Sequence, residues 1–119
     1  MAPEAAIETA IPPARAAELI DAGAEAIDVR RAFEWDAGRI AGARQVEINV
    51  LPGAAESIAR DRPVVFYCRS GNRSALAAAA FRQAGWDAYS MEGGLEAWVA
   101  EGFALDPPDG EVAAPPPGS

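Results

Sequence analysis

Short apolar runs alternate along the chain with segments in which hydrophobic residues recur at helical spacing. The clearest run is Pro63–Tyr67 (PVVFY), which is β-branched and aromatic and has no polar face. Such a run predicts a central strand that is covered on both sides. Shorter runs predict further strands at residues 26–29, 45–48 and 87–90.

Helical patterns fill the intervals between these runs. Thr9 is a candidate cap for a first helix that has Pro12 and Pro13 in its first turn and ends at Gly23. Further helices are predicted at residues 31–37, 54–60, 74–84 and 94–101. This alternation predicts an α/β fold with a small, mostly parallel central sheet flanked by helices on both faces. In such sheets, functional residues gather at the carboxyl ends of the strands.

The two ends of the chain differ in composition from its middle. Residues 106–119 (DPPDGEVAAPPPGS) are rich in proline, glycine and acidic residues, and they cannot bury enough apolar surface to offset the entropy lost on ordering. We therefore predict a domain at residues 9–105, a flexible N-terminus at residues 1–8 and a disordered tail at residues 106–119.

Composition and charge exclude several classes of function. The 119 residues include one cysteine and no histidine, so we expect neither an internal disulfide nor a metal site. All ten basic residues are arginines, which excludes Schiff-base chemistry on lysine. The formal net charge of −8 argues against nucleic acid or a membrane surface as a partner. A free thiol and the absence of a secretion-like start favour a cytoplasmic location.

The strongest local feature is the segment Cys68–Ser74 (CRSGNRS), which begins where the central strand is predicted to end and stops where an alanine-rich helix begins. A tight loop at this place turns successive backbone N–H groups inward, and the helix N-terminus adds the positive end of its dipole. Gly71 supplies backbone freedom, while Arg69 and Arg73 add positive charge. These surroundings favour a thiolate at Cys68, which would then be a nucleophile without help from a histidine.

A lone cysteine is more often an inert buried hydrophobe than a nucleophile. Here the neighbours outweigh that interpretation, because a core cysteine has no need of Arg-Ser-Gly-Asn-Arg after it. We take Cys68 as the candidate catalytic residue. The candidate substrate-binding residues, through loop amides and side chains, are Arg69, Ser70, Gly71, Asn72, Arg73 and Ser74.

Four segments, in the same order along residues 9–105, resemble the rhodanese family. They are Ala26–Arg30 (AIDVR), Glu34–Ala43 (EWDAGRIAGA), Cys68–Ser74 and Met91–Trp98 (MEGGLEAW). Arg39 stands where the family commonly has histidine, and Ala41 where it commonly has proline. Both positions lie outside the catalytic loop, so we expect altered local packing or surface charge with the chemistry retained.

The resemblance implies a sulfurtransferase that works in two steps. Cys68 attacks the outer sulfur of a small anionic donor such as thiosulfate, sulfite leaves with help from Arg69 and Arg73, and a persulfide remains on Cys68. Cyanide, a thiol or an acceptor protein then removes the sulfur, because a chain with one cysteine cannot resolve its own persulfide as a disulfide. We expect this chemistry to need no cofactor.

The resemblance also covers residues outside the loop. Asp28 and Arg30 match an acid and an arginine that the family places below the loop, and we interpret them as a supporting pair that braces the strand end. Glu92, Gly93 and Gly94 are expected to turn into the last helix.

Two alternatives remain open. One is a persulfide carrier that hands sulfur to a partner protein, with the acidic tail as a possible docking segment. The other is a cysteine phosphatase or arsenate reductase, whose loop has about five residues between its cysteine and its arginine. Four residues separate Cys68 from Arg73, so we rank this second alternative below the sulfurtransferase.

Overall fold

A computed structural model describes residues 9–114 of the chain. It contains one five-stranded parallel sheet with the spatial order β1-β5-β4-β2-β3. The strands are β1 (Ala10–Ile11), β2 (Glu25–Asp28), β3 (Arg44–Gln45), β4 (Val64–Tyr67) and β5 (Ala88–Met91). The predicted α/β fold is confirmed, and β4 is the middle strand as the apolar run indicates.

Helices cover both faces of this sheet. They are α1 (Pro13–Asp21), α2 (Ala32–Ala37), α3 (Leu51–Ala54, continued by a 3₁₀ turn at Ala55–Ser57), α4 (Asn72–Gln83) and α5 (Gly94–Ala100). Within residues 9–114, no helix combines the length and the apolar character that crossing a membrane requires.

The central strand β4 is buried on both faces. Val64 and Phe66 pack with side chains of α4, whereas Val65 and Tyr67 pack with side chains of α1 and α5. Alternation of this kind follows from the period of two in a strand, and burial of both faces explains why the run has no polar position. The residue after this strand, Cys68, therefore lies at the carboxyl edge of the middle of the sheet.

The first strand is absent from the sequence-based prediction. The chain at residues 10–11 pairs with β5, and the amide of Glu92 donates to the carbonyl of Ile11 at 2.7 Å. The prediction that Thr9 caps the first helix is wrong, because α1 begins at Pro13 with Pro12 at the cap position. A two-residue edge strand is too short to show an alternating pattern.

The third strand and third helix differ in their bounds from the prediction. β3 spans two residues instead of four. The pairing continues beyond it, because the amide of Val46 donates to the carbonyl of Asp28 and the amide of Ile48 donates to that of Val29. Helix α3 begins at Leu51, three residues before the predicted start. Pro52 lies in its first turn, where proline is well tolerated, so the proline is no barrier to an earlier start.

The segment after Leu105 remains attached to the domain. Asp106 and Arg39 form an antiparallel bridge with reciprocal backbone hydrogen bonds of 2.7 and 3.1 Å. The amide of Glu111 donates to the carbonyl of Ala37 at 2.9 Å, and Val112 packs against the core on the α1–α5 side. The packed chain thus continues past the predicted tail boundary at residue 106. The acidic, proline-rich composition does not indicate this packing, because the contacts of the segment are mostly backbone hydrogen bonds. The predicted flexible residues 1–8 lie outside the described residues, as do residues 115–119.

A pair of truncations tests this docking. Removing residues 106–119 eliminates the backbone bonds to Arg39 and Ala37, so we expect the free energy of unfolding to fall by about 2 kcal/mol. Removing only residues 115–119 keeps all of these contacts and serves as the matched control. Urea denaturation of the two truncated chains measures the difference, and equal midpoints would contradict the docking.

Candidate active site

The candidate nucleophile lies in a loop that joins the central strand to α4. Cys68 directly follows β4, and Gly71, with a φ of 104°, is the residue before the first turn of α4. The sulfur of Cys68 accepts hydrogen bonds from the amides of Gly71 at 3.1 Å and Ser74 at 3.4 Å. The predicted loop of inward backbone N–H groups is therefore formed around the sulfur.

Four further amides of this loop have no hydrogen-bond partner among residues 9–114. They belong to Arg69, Ser70, Asn72 and Arg73. The last two are in the first turn of α4, whose amides have no acceptor inside the helix and carry the positive end of its dipole. Unpaired amides at the N-terminus of a helix favour negative charge close to them.

The sulfur has one polar and one apolar side. Cys68 is 1% exposed, and it packs with the core side chains between the sheet and α4. On the other side it contacts the loop amides and the hydroxyl of Ser74, whose oxygen is 3.6 Å from the sulfur. Ser70 and Asn72 are exposed at the rim of the loop.

The start of α5 fixes the orientation of the loop. The amide of Leu95 donates to the carbonyl of Cys68 at 2.8 Å, and the amide of Glu96 donates to the carbonyl of Arg69 at 3.1 Å. Both carbonyls are thereby directed toward α5. Gly94 makes this close approach possible, because an added Cβ there would lie about 2.4 Å from the carbonyl oxygen of Arg69.

The two loop arginines differ in their partners. Arg73 donates to both carboxylate oxygens of Glu34 at 3.0 and 3.1 Å, and Glu34 is a buried residue on α2. Arg69 pairs with Glu96 of α5, and both of these side chains are partly exposed. An exposed pair stabilises little and exchanges readily with other anions, whereas a bidentate pair with a buried carboxylate is fixed. The structure therefore ties Arg73 to α2 and leaves Arg69 available at the rim.

Burial would by itself raise the pKa of Glu34 by disfavouring its charged form. Hydrogen bonds from Arg73 and from the backbone of Arg31 outweigh this effect, so the pKa of Glu34 lies below its usual value. The carboxylate of Glu34 also raises the pKa of Arg73. Both groups are thus held charged at neutral pH.

Asp28 and Arg30 form a second, fully buried ion pair below the loop. The guanidinium of Arg30 donates to both carboxylate oxygens of Asp28, with a shortest distance of 2.6 Å, and also to the carbonyl of Gly38 at 2.8 Å. Both side chains are fully buried, and neither is hydrogen-bonded to Cys68. The pair joins the end of β2 to the end of α2, which is a supporting arrangement.

Three residues of this site are missing from the sequence-based set. Glu34 lies in the quoted segment EWDAGRIAGA, but nothing in the pattern identifies Arg73 as its partner. Gly94 is predicted only to form a turn, and Ser90 lies inside a predicted strand. The hydroxyl of Ser90 is 2.8 Å from that of Ser74, a contact that only the pairing of β5 with β4 creates. Across residues 9–114, no three side chains of the metal-ligating types lie close enough to hold a metal ion.

The Glu34–Arg73 pair predicts a pH dependence of stability. Because the pKa of Glu34 is lowered in the folded chain, its contribution is fully present above the unfolded pKa of about 4.3 and is lost as the pH falls through the lower folded value. Urea unfolding midpoints measured over that acidic range should decline in the wild type. We expect Glu34→Gln to be less stable at pH 7 by about 1–2 kcal/mol and to show a smaller decline. A parallel decline in the two proteins would show that Glu34 is not the titrating group.

Comparison with known proteins gives consistent matches. The model of the rhodanese-like domain matches residues 12–101. The thiosulfate sulfurtransferase GlpE of Pseudomonas aeruginosa is 36% identical over 103 residues, which cover 86% of this chain and 93% of that protein. A sulfurtransferase of Allochromatium vinosum is 36% identical over 85 residues, which cover 71% of this chain and 79% of that protein.

A solved structure agrees with these sequence matches. The crystal structure of a rhodanese-related protein from Thermoplasma volcanium has a TM-score of 0.76 and 33% sequence identity to this chain. The match covers 81% of this chain and 95% of that one. The residues that the family model matches, 12–101, include strands β2 to β5 and the loop that carries Cys68.

Proposed function

Because this chain belongs to the rhodanese-like domain family and its similarity to sulfurtransferases indicates the same type of activity, we propose that it takes sulfane sulfur from thiosulfate through a persulfide on Cys68. A thiol or cyanide then accepts the sulfur. The observation that carries the proposal is the loop in which amides surround one sulfur atom at the end of the central strand.

The first step needs a charged sulfur that is close to amide donors. The amides of Gly71 and Ser74 donate hydrogen bonds to the sulfur of Cys68 at 3.1 and 3.4 Å. The thiolate attacks the outer sulfur of thiosulfate, the sulfur–sulfur bond of the donor breaks, and sulfite leaves with the bonding electron pair. The outer sulfur of the resulting persulfide carries the negative charge and accepts hydrogen bonds from the free loop amides.

The second step restores the enzyme. A nucleophilic acceptor attacks the outer sulfur, the bond to Cys68 breaks, and its electrons return to the sulfur of Cys68 as a thiolate. The sulfur atom moves from one nucleophile to another, so the cycle needs no external oxidant or reductant. No second cysteine is present, so a thiol acceptor comes from another molecule.

The different partners of the loop arginines support different roles in this cycle. Arg69 is held by one partly exposed carboxylate, that of Glu96, and is free to turn toward a divalent anion at the rim. Arg73 is engaged by Glu34 on both carboxylate oxygens and holds the first turn of α4 in place. We assign donor binding to Arg69 and loop positioning to Arg73.

Alanine substitutions separate these two roles. We expect Arg69→Ala to raise the KM for thiosulfate by about tenfold, the scale of one charge-assisted hydrogen bond, and to leave stability unchanged. Arg73→Ala should instead lower the unfolding midpoint, because Glu34 loses its partner in a buried position. Steady-state kinetics and thermal unfolding on both variants measure this, and an unchanged KM in Arg69→Ala would contradict its role.

Turnover assays on a single preparation test the proposed function. We expect sustained formation of thiocyanate from thiosulfate and cyanide, without measurable hydrolysis of an aryl phosphate. Sulfur loading without turnover would favour a carrier that delivers sulfur to a partner protein. Phosphate release without thiocyanate formation would contradict the sulfurtransferase and favour a phosphatase.

A further inference from the structure

The hydroxyl of Ser90 is buried next to the active-site loop, and it has no role in the mechanism above. Its oxygen lies 2.8 Å from the oxygen of Ser74, and Ser90 itself is 2% exposed on β5. The oxygen of Ser74 lies in turn 3.6 Å from the sulfur of Cys68 and 3.2 Å from the carbonyl oxygen of Gly71. The three side chains form a line from the sheet to the sulfur.

The number of hydroxyl hydrogens determines which serine donates in the hydrogen bond between Ser90 and Ser74. Ser90 has one hydroxyl hydrogen, and among residues 9–114 the only acceptor within hydrogen-bond distance is the oxygen of Ser74. If Ser74 donated to Ser90 instead, the hydrogen of Ser90 would be buried without a partner, which costs more than a hydrogen bond returns. Ser90 is therefore the donor, and Ser74 keeps its own hydrogen for another acceptor.

Two acceptors compete for the hydrogen of Ser74. One is the carbonyl of Gly71, which also receives the amide of Ala75 at 3.1 Å and so remains hydrogen-bonded if Ser74 turns away. The other is the sulfur of Cys68. A neutral thiol can donate its own hydrogen to Ser74, but a thiolate can only accept, so ionisation of Cys68 draws the hydrogen of Ser74 to the sulfur.

We infer that Ser90 is a positioning residue that acts through Ser74, setting the direction of the Ser74 hydroxyl so that it donates to the Cys68 thiolate. This inference rests on the proposed function for its place in a cycle. After sulfur transfer, the sulfur of Cys68 becomes a bridging atom and the charge moves to the outer sulfur. The hydrogen of Ser74 then returns to the carbonyl of Gly71, and no proton leaves the site.

Charged side chains also lie on the loop of Cys68 and on the elements around it. They are Arg73 on α4 with Glu34 on α2, Arg30 after β2 with Asp28 at its end, and Arg69 of the loop with Glu96 on α5. Each is an ion pair that stays unchanged when Ser90 is replaced. A difference among variants at position 90 therefore reports the hydroxyl and not a change in the charges.

The pH profile of Cys68 alkylation by iodoacetamide tests the inference. We expect Ser90→Ala to shift the profile to higher pH and to react about three to ten times more slowly at neutral pH, the scale of one hydrogen bond. Ser90→Thr and Ser90→Val form a matched pair of the same shape, of which only threonine keeps the hydroxyl. The alkylation profile of Ser90→Thr should lie close to that of the wild type. The profile of Ser90→Val should be shifted to higher pH, as in Ser90→Ala.

The Ser90→Ala substitution made in the Ser74→Ala variant tests whether Ser90 acts through Ser74. In Ser74→Ala, the further change Ser90→Ala should leave the alkylation profile where it was, because the intermediate hydroxyl is gone. Coincident profiles for the wild type and Ser90→Ala, or for threonine and valine at position 90, would overturn the inference.

Alkylation needs no sulfur donor, so this test is independent of the proposed function. A wild-type protein that takes no sulfur from thiosulfate would overturn the proposed function, and the alkylation series would still decide the role of Ser90. A shift of the profile in Ser90→Ala together with normal sulfur loading in the wild type supports both.

Discussion

We expect Cys68→Ser to abolish sulfur transfer and to leave the fold intact. A serine hydroxyl is nearly the same size as the thiol and can accept the hydrogen bonds that Gly71 and Ser74 donate to the sulfur. It is not ionised at neutral pH and does not form a persulfide, so we expect the rate of thiocyanate formation to fall by at least about a thousandfold. The loss is this large because each step of the proposed cycle makes or breaks a bond to this one atom.

Circular dichroism provides the control for this variant. The spectrum and the melting temperature of Cys68→Ser should remain close to those of the wild type, because Cys68 contributes only a small part of the core between the sheet and α4. A folded Cys68→Ser protein that retains substantial sulfurtransferase activity would contradict the assignment of the nucleophile.

Gly94→Ala has the largest expected effect outside the nucleophile. The residue has a φ of 62°, and the new Cβ would lie 2.4 Å from the carbonyl oxygen of Arg69 and 2.5 Å from that of Cys68. Both obstacles are backbone atoms, so the start of α5 and the loop must separate. We expect the free energy of unfolding to fall by at least about 3 kcal/mol and the activity to fall in the fraction that remains folded.

Gly102→Ala is the matched control at the other end of α5. Gly102 also has a positive φ, of 93°, but an added Cβ there meets nothing within 4 Å. Its substitution carries only the cost of the backbone conformation, about 1–2 kcal/mol, and should leave the activity of the folded protein unchanged. Guanidinium denaturation measures both variants, and equal losses would show that contact between α5 and the loop is unimportant.

The fold was predictable from the sequence because its central strand is buried on both faces. The run PVVFY has no polar position, and every helix within residues 9–114 except α3 is followed within two residues by a glycine. The elements that escaped prediction depend on contacts between distant segments. β1 exists through pairing with β5, and the segment after Leu105 is held by backbone bonds to Arg39 and Ala37.

The site divides in the same way. The loop amides around Cys68 follow from a strand, a glycine and a helix start, all of which lie in one short stretch of sequence. The ion-pair partners of the two arginines cannot be predicted from nearby residues, because Glu34 is 39 residues from Arg73 and Glu96 is 27 residues from Arg69. Residue types alone therefore assign the same role to both arginines, whereas their partners separate them.

The intact mass of the protein after incubation with thiosulfate is the most direct measurement of the proposed chemistry. We predict that the wild type gains the mass of one sulfur atom, that cyanide or a thiol removes it, and that Cys68→Ser gains nothing. An unchanged mass of the wild type, or an equal gain in Cys68→Ser, would contradict a persulfide on Cys68.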